Sequence, residues 1–506
     1  MNRKQRRASQ RHIAASKPLV TGKGLSPTQR LQVLQAAVAH HKAGRLAEAE
    51  AGYSEILERQ PTDSTALHHL SLIAMDRGEI DEALRLVGLA LESDPKYAEA
   101  YNSAGTYHKA KKQLDEADAS FRQAARFKRN YAEAHYNLGT VLSDQDKLEE
   151  AVEQYRIALR IQPNYTVALN NLGIVLSKLL RLDEATDCFR RALHIDSKMA
   201  SLYSNFGNAL RRQGKYERAM QAYACASALA PDLIDSRFNY GTLELQVGKL
   251  KPGWKLYELG FALGERRPQR HLEQPRWNGE DARDKSILVW REQGIGDEIM
   301  FGTCIPDLVR QVRKVIVECD TRLVPLFARS VPDALVRPSD SFARSVPDAD
   351  AHIPMGSLPG LFRNAIGDFP KTPGYLRADP ARMAYWKKRI DALGDGIKVG
   401  LCWRSQLRSR DRNLAYAEIE DLKPLFSIPG IRFICLQYDA SAEEVAEINK
   451  AHGIDLVHID GLDQRNDIDG AAALMANLDL VISAATSVGE IAGALGMPVW
   501  RFSLEA

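Results

Sequence analysis

Residues 132–163 read AEAHYNLGTVLSDQDKLEEAVEQYRIALRIQP, and this stretch decides the fold of half the chain. Two segments with helically spaced apolar residues are joined by a short polar turn, and a proline closes the second. Stepping by 34 residues from Ala151 meets Ala49, Ala83, Ala117, Ala185 and Ala219. Four residues after each alanine stands Tyr53, Phe121, Tyr155, Phe189 or Tyr223, with Val87 as the exception. Three further on come Ala90, Ala124, Ala158, Ala192 and Ala226, with Ile56 as the exception. Another column holds Gly105, Gly139, Gly173, Gly207 and Gly241, softening to Ala37 and Ser71. Pro61, Pro95, Pro163 and Pro231 share one register, from which Arg129 and Ser197 depart.

Small residues in the glycine and alanine columns let the two helices of a unit approach closely, and the aromatic column is expected to fill the gap to the next unit. No unit can bury its own apolar face, so neighbours must stack into a superhelix with a concave inner surface. The pattern resembles the tetratricopeptide repeat. It predicts an α-solenoid over residues 30–265: six repeats plus a degenerate seventh running through Tyr240, Gly241, Gly248 and Tyr257, where Lys251-Pro252-Gly253-Trp254 breaks the pattern. Asn137, Asn171, Asn205 and Asn239 recur two positions before the glycine. An amide both donates and accepts, so such a ladder can clamp an extended acceptor peptide without reading its sequence. A similar ladder lines the groove of the protein O-linked N-acetylglucosamine transferases. The structural alternative is that these amides satisfy neighbouring groups.

At 506 residues the chain needs more than one core. The net charge of +3 gives no footing for nucleic-acid binding. Basic residues crowd the N-terminus at Arg3, Lys4, Arg6, Arg7, Arg11 and Lys17 without an apolar core, so residues 1–29 read as a disordered basic tail and not a secretory signal. Cysteines at 188, 225, 304, 319, 402 and 435 form no CxxC pair, which fits reduced thiols in a cytoplasmic protein. Leu478 to Trp500 carries Asp479 and Glu490 and reads as strand, loop, helix and strand, so no membrane span is expected.

After a polar connector over 266–284, with Arg266, Arg267, Arg270, Arg276 and Trp277, the pattern changes. Lys285 to Trp290 reads as a buried strand, Glu292-Gln-Gly-Ile-Gly-Asp-Glu298 as a glycine loop, Ile299 to Arg313 as a helix and Val315 to Glu318 as a second strand. Ile299 occupies the third-glycine position of a dinucleotide fingerprint, which argues against NAD or FAD. A second unit of the same kind follows from residue 397. Its expected strands are Val399 to Trp403, Arg432 to Gln437, Leu456 to Ile459, Leu480 to Ser483 and Pro498 to Trp500. Helices are expected between them near Glu418 to Phe426, Ala442 to Lys450, Ile468 to Asn477 and Val488 to Leu495. The domain plan is thus an N-terminal Rossmann-like half over 285–380, a linker helix over 381–396, and a C-terminal half over 397–506. The heptapeptide Ala328-Arg-Ser-Val-Pro-Asp-Ala334 recurs at Ala343 to Ala349.

Three segments carry a second resemblance: Gly294-Ile-Gly-Asp297 with its helix and Pro306; Val399-Gly-Leu-Cys-Trp-Arg404 followed by an Arg-rich loop; and Asp469 to Trp500 with Asp479-Leu-Val-Ile-Ser483, Thr486-Ser487 and Gly496-Met-Pro-Val-Trp500. Together they resemble the heptosyltransferase-like glycosyltransferases of GT-B architecture. Fused to repeats, the domain looks like bacterial protein-modifying transferases, including those that glycosylate flagellin. Where that family has an Asp and a His around the Thr, this chain has Ala485 and Glu490, and relative to the family pattern the C-terminal half looks foreshortened at Ala506.

The resemblance implies Asp297 as the base for the acceptor hydroxyl, although the same Asp suits an N-cap. A helix starting near Val488, with Thr486 and Ser487, suits a nucleotide diphosphate. Arg404 and Arg412 are the candidate cations, sharing a loop with Arg408 and Arg410 that also reads as a solvated basic loop. Gln437 and Glu490 are the remaining donor-site candidates, while Asp467 and Asp469 read as caps of the helix at Ile468. No metal cluster or resident cofactor is expected, the nucleotide-sugar being a co-substrate. The implied activity is transfer of a sugar to a Ser or Thr hydroxyl of an acceptor protein held by the repeats. The alternatives are a repeat scaffold with a degenerate transferase domain, or a transferase acting on a glycan or lipid-linked saccharide.

Overall fold

The computed structural model describes residues 25–340, 343–406 and 416–502; the basic tail before residue 25 lies outside them. Two compact units divide at Gln213/Gly214, well ahead of the 265 boundary suggested by the repeat pattern.

The first unit is helical. Ser26 caps the helix Pro27–Lys42 in a reciprocal box with Gln29, so the array starts three residues before 30. Helix pairs follow at Pro27–Lys42 and Leu46–Arg59, Ser64–Asp76 and Ile80–Ser93, Ala98–Ala110 and Leu114–Phe127, Ala132–Asp144 and Leu148–Ile161, and Thr166–Lys178 and Leu182–Ile195, with Ala200–Arg212 last. Ala49, Ala83, Ala117, Ala151 and Ala185 are fully buried, as a close-approach column requires.

The aromatic column reaches the next unit as expected, Tyr53 stacking on His69 at 5.1 Å and Tyr223 lying 6.2 Å from Tyr240, and it also fills its own unit. A side chain on Gly105 would meet the ring of Phe121 at 2.7 Å, one on Gly139 the ring of Tyr155 at 2.9 Å, and one on Gly173 the ring of Phe189 at 2.7 Å. Each of these rings therefore also seats on the glycine of its own unit. A further column emerges in the turn between paired helices. Gly44, Gly78, Lys112, Asp146, Leu180, Gly214 and Gly248, spaced by 34 residues, all have positive φ. The turn imposes a left-handed residue at each step, with glycine at four of the seven.

The second unit begins with the helices Tyr216–Leu229, Ile234–Gln246, Leu250–Tyr257 and Gly260–Leu263. The segment expected to break the pattern instead opens a helix: Pro252 lies in its first turn, where no amide is needed, and Gly253 lets it approach Leu245 closely. Trp254 and Tyr257 then pack beside Phe301 in the core of the α/β region.

That region holds two parallel sheets. The first contains β1 (Ala282–Trp290), β2 (Val312–Cys319), β3 (Ala334–Pro338) and β4 (Ala351–Pro354) in the order β3-β2-β1-β4. The second contains β5 (Ile397–Cys402), β6 (Ile431–Cys435), β7 (Leu456–Val457), β8 (Leu480–Ser483) and β9 (Val499–Arg501) in the order β7-β6-β5-β8-β9. The strands of β5 to β9 fall where the apolar runs predict them. The helix expected over Ile299 to Arg313 is two helices, Ile295–Gly302 and Ile305–Val309; Pro306 lacks the amide that would continue the first.

The repeated heptapeptide has a structural explanation. In both copies the alanine amide closes a turn on the valine carbonyl, Ala334 on Val331 and Ala349 on Val346, each at 3.0 Å. Both valines are buried, and the turns feed β3 and β4, the two edge strands of the first sheet. The stretch read as a polar connector is anchored inside the domain. Arg266 is wholly buried against Glu292, at 2.9 Å from Nε to Oε2, and Arg270 is buried against Glu318.

Candidate functional site

In parallel sheets, ligands gather beyond the carboxyl ends of the strands where the strand order reverses. Here the reversals lie between β1 and β4 and between β5 and β8. The glycine loop leaves β1 and the Ser483–Ser487 turn leaves β8, so two switch points contribute to one cleft of about 970 Å³.

On the first wall, Gly294 precedes the helix Ile295–Gly302, and the Asp297 carboxylate accepts from the Gly294 amide at 3.1 Å. Asp297 therefore does brace its own helix, as the cap alternative required, and it also lines the cleft. On the second wall, Thr486 precedes the helix Ser487–Ala494 in extended conformation without capping it. Its hydroxyl turns inward to Ser483 Oγ at 3.1 Å and Cys402 Sγ at 3.6 Å. The amides of Ser487, Val488 and Gly489 keep no acceptor among the described residues. Unpaired amides at a helix start favour an anion. The two helix starts face each other closely: a side chain on Gly296 would lie 3.6 Å from Glu490 Cγ and 3.7 Å from Ser487 Cα.

Glu490 pairs with Arg501 at 2.6 Å. Burial raises its carboxyl above the ordinary range against the opposing pull of Arg501, and nearby Asp297 adds to the rise. Glu298, one residue past Asp297, points away from the cleft; burial pushes it up to about 7 despite Arg291 at 2.8 Å.

Asp297, Thr486, Ser487 and Glu490 are thus brought together. Arg404 and Gln437 are not among the lining residues. The Arg404 guanidinium pairs with Asp439 at 2.6 Å and Glu444 at 2.8 Å. Gln437, buried, accepts from the Arg404 amide at 3.1 Å and donates to its carbonyl at 3.0 Å. These two residues clasp the ends of β5 and β6 together. Arg412, with Arg408 and Arg410, lies outside the described residues. Asp467 caps its helix by accepting from Gly470 at 3.0 Å, whereas Asp469 pairs with Arg329 of the first half.

Sequence reasoning missed the cations that do line the cleft: Arg267, Arg291, Arg322, Arg465 and Arg501. Arg291 follows β1 directly, Arg322 sits in the short turn Thr321–Leu323 after β2, and both engage Asp320. Their signal was position: an arginine at the carboxyl end of a parallel strand faces the ligand edge of the sheet. Among the described residues no group of three or more His, Cys, Asp or Glu could hold a metal. No described helix is long and apolar enough to cross a membrane.

In the first unit, Asn137 donates to Asn102 at 3.0 Å, Asn205 to Asn170 at 2.9 Å, Asn170 to Asn171 at 3.2 Å, and Asn171 to the Tyr136 hydroxyl at 3.2 Å. The ladder is cross-linked from unit to unit, so a peptide would have to insert into or exchange these bonds. Asn239, half-buried, lies in the second unit.

Family models for the tetratricopeptide repeat match residues 98–131, 130–198 and 199–224. The N-terminal half is a tetratricopeptide solenoid. Among curated proteins the chain is similar to Protein FlbA of Caulobacter vibrioides, 32% identical over 273 residues, covering 51% of this chain and 46% of that protein. The chain thus spans about half the length of this relative. Among solved tetratricopeptide structures it is similar to YrrB, described as having an unusual peptide-binding site, at 26% identity and TM-score 0.33, covering 36% of this chain and 95% of that one. It is also similar to MamA, at 25% identity and TM-score 0.30, covering 32% and 95%.

Proposed function

We propose that this chain is a glycosyltransferase of GT-B type that moves a sugar from a nucleotide-sugar to a Ser or Thr hydroxyl of an acceptor protein held by the repeats. The observation that carries this reading is the one cleft lined both by Asp297 and by Ser487 and Val488 of the helix start whose amides are open. Asp297 takes the proton of the acceptor hydroxyl as its oxygen bonds to the anomeric carbon. The bond from that carbon to the diphosphate oxygen breaks, and its electron pair leaves on the diphosphate. The helix amides, Ser487 and Arg501 are the groups that would carry the departing charge. The repeats supply the acceptor through an amide-rich inner surface, and flagellin is the acceptor to try first, from the resemblance above.

The test is intact-mass analysis of acceptor proteins co-expressed with the chain. The expected result is a sugar-sized mass gain with the wild type and none with Asp297→Asn. An unmodified acceptor set would sink the transferase reading, and full modification by Asp297→Asn would remove Asp297 from the role of base. Asn171→Ala combined with Asn205→Ala should weaken acceptor binding; unchanged binding would leave the ladder purely structural.

A further inference from the structure

Among the described residues four non-glycine residues have positive φ, and three of them, Lys112, Asp146 and Leu180, belong to the recurring turn of the repeats. The fourth is Gln293, at φ 60°, in the glycine loop immediately before Gly294. A left-handed backbone is unfavourable for a side-chain-bearing residue and persists only where surrounding contacts over-determine it.

Those contacts come from the end of the repeat array. The Gln293 amide donates to the Arg267 carbonyl, and its side-chain Nε2 lies 3.4 Å from the Glu265 carbonyl. Its Oε1 accepts from the Tyr257 hydroxyl at 3.1 Å. Tyr257 is itself fixed on both sides. Its ring stacks on Phe238 at 5.8 Å, and the Arg266 guanidinium lies 4.8 Å from the ring centre. Burial pushes the Tyr257 phenol up to about 12, so it remains a donor across ordinary pH. The preceding residue, Glu292, is locked between Arg266 and the Gly356 amide at 2.8 Å. Four residues beyond Gln293, Asp297 enters the cleft.

We propose that Tyr257, in the last repeat helix, is a positioning residue of the cleft: through Gln293 it holds the glycine loop in the left-handed turn that presents Asp297. The terminal repeat is then part of the site as well as a holder of partners, and Asn239, next to Phe238 on the neighbouring helix, lies one ring stack from that linkage. The proposal rests on the reading of Asp297 as the base, but its geometry can be tested apart from activity.

Hydrogen–deuterium exchange on the full chain reads the loop directly, because the amides of Gly294 and Glu298 have acceptors within it and that of Gln293 has the Arg267 carbonyl. In Tyr257→Phe these amides should exchange about tenfold faster, with exchange in the second sheet and the melting temperature unchanged. In Gln293→Gly, which suits the left-handed turn but lacks the amide, Gly294 and Glu298 should loosen to a similar degree. Turnover in both variants should fall about tenfold at unchanged donor KM. Wild-type exchange across the loop in either variant overturns the proposal. Faster loop exchange together with a wild type that transfers no sugar would leave the positioning intact and count against the transferase reading alone.

Discussion

Arg501, the last residue of β9, reaches Glu490 in the first turn of the helix Ser487–Ala494 at 2.6 Å. The pair sits where open helix amides favour an anion, so the two side chains act on such a ligand with opposite sign. Arg501→Gln should weaken binding of inorganic pyrophosphate about tenfold, and Glu490→Gln should strengthen it several-fold. Calorimetric titration checks both; a change of the same sign in the two variants would separate the pair from the anion site.

Gly173 has the ring of Phe189 where its own side chain would be, at 2.7 Å. Gly173→Ala should cost about 1–3 kcal/mol through overpacking. Phe189→Leu in the same chain should recover part of that loss, because the two changes share one contact. Urea midpoints of the single and double variants give the coupling.

Leu180 is exposed and left-handed at φ 60°, in the column where Gly44 and Gly78 stand. Leu180→Gly should stabilise the array by about 0.5–1 kcal/mol, and Gly78→Ala should destabilise it by a similar amount. Equilibrium unfolding of both variants tests whether the turn, and not the residue type, sets the conformation.

His68 is buried, with Nδ1 at 3.0 Å from the Tyr97 hydroxyl and Nε2 at 2.8 Å from Ser103 Oγ. Burial, helped by neighbouring His69, lowers it to about 4. The unfolded chain binds this proton near pH 6.5 and the folded chain only near 4, so stability is present above 6.5 and lost as pH falls through that window. The loss should reach about 2–3 kcal/mol, and His68→Gln should flatten it. Exchange protection of the helix Ser64–Asp76, followed between pH 7 and 4.5, reports the effect locally.

Much of the fold was legible because it is local. The 34-residue columns state where helices end and where small residues must stand: the alanine of Ala151 recurs in all six units, the glycine of Gly173 and the proline of Pro163 in most. The apolar runs from Ile397 to Trp500 likewise announce strands, since a strand covered on both faces must be apolar throughout. Side-chain destinations were less legible. Arg404 looked like a cleft cation from its place after a strand, yet Asp439 and Glu444, 35 and 40 residues further along the chain, claim it. The aromatic column gave its residues and their reach to the next unit, but not the glycine of the same unit as a second partner, because the depth of a glycine cavity depends on how two helices cross.

The sequence alone determined the tetratricopeptide solenoid, the existence of two strand-and-helix halves, and Asp297, Ser487 and Glu490 as residues of interest. The solenoid and the two halves follow from spacing along the chain, and the three residues from their places after strands together with the resemblance. The tertiary structure decided which arginines enter the cleft, that the asparagine ladder is cross-linked, that the terminal repeat is built into the α/β unit, and that Gln293 is held in a strained turn by Tyr257. Most of these depend on contacts between residues distant in the chain, 35 positions from Asn171 to Tyr136, 36 from Tyr257 to Gln293 and 109 from Trp254 to Arg363, where the choice among partners is made by packing and charge in three dimensions.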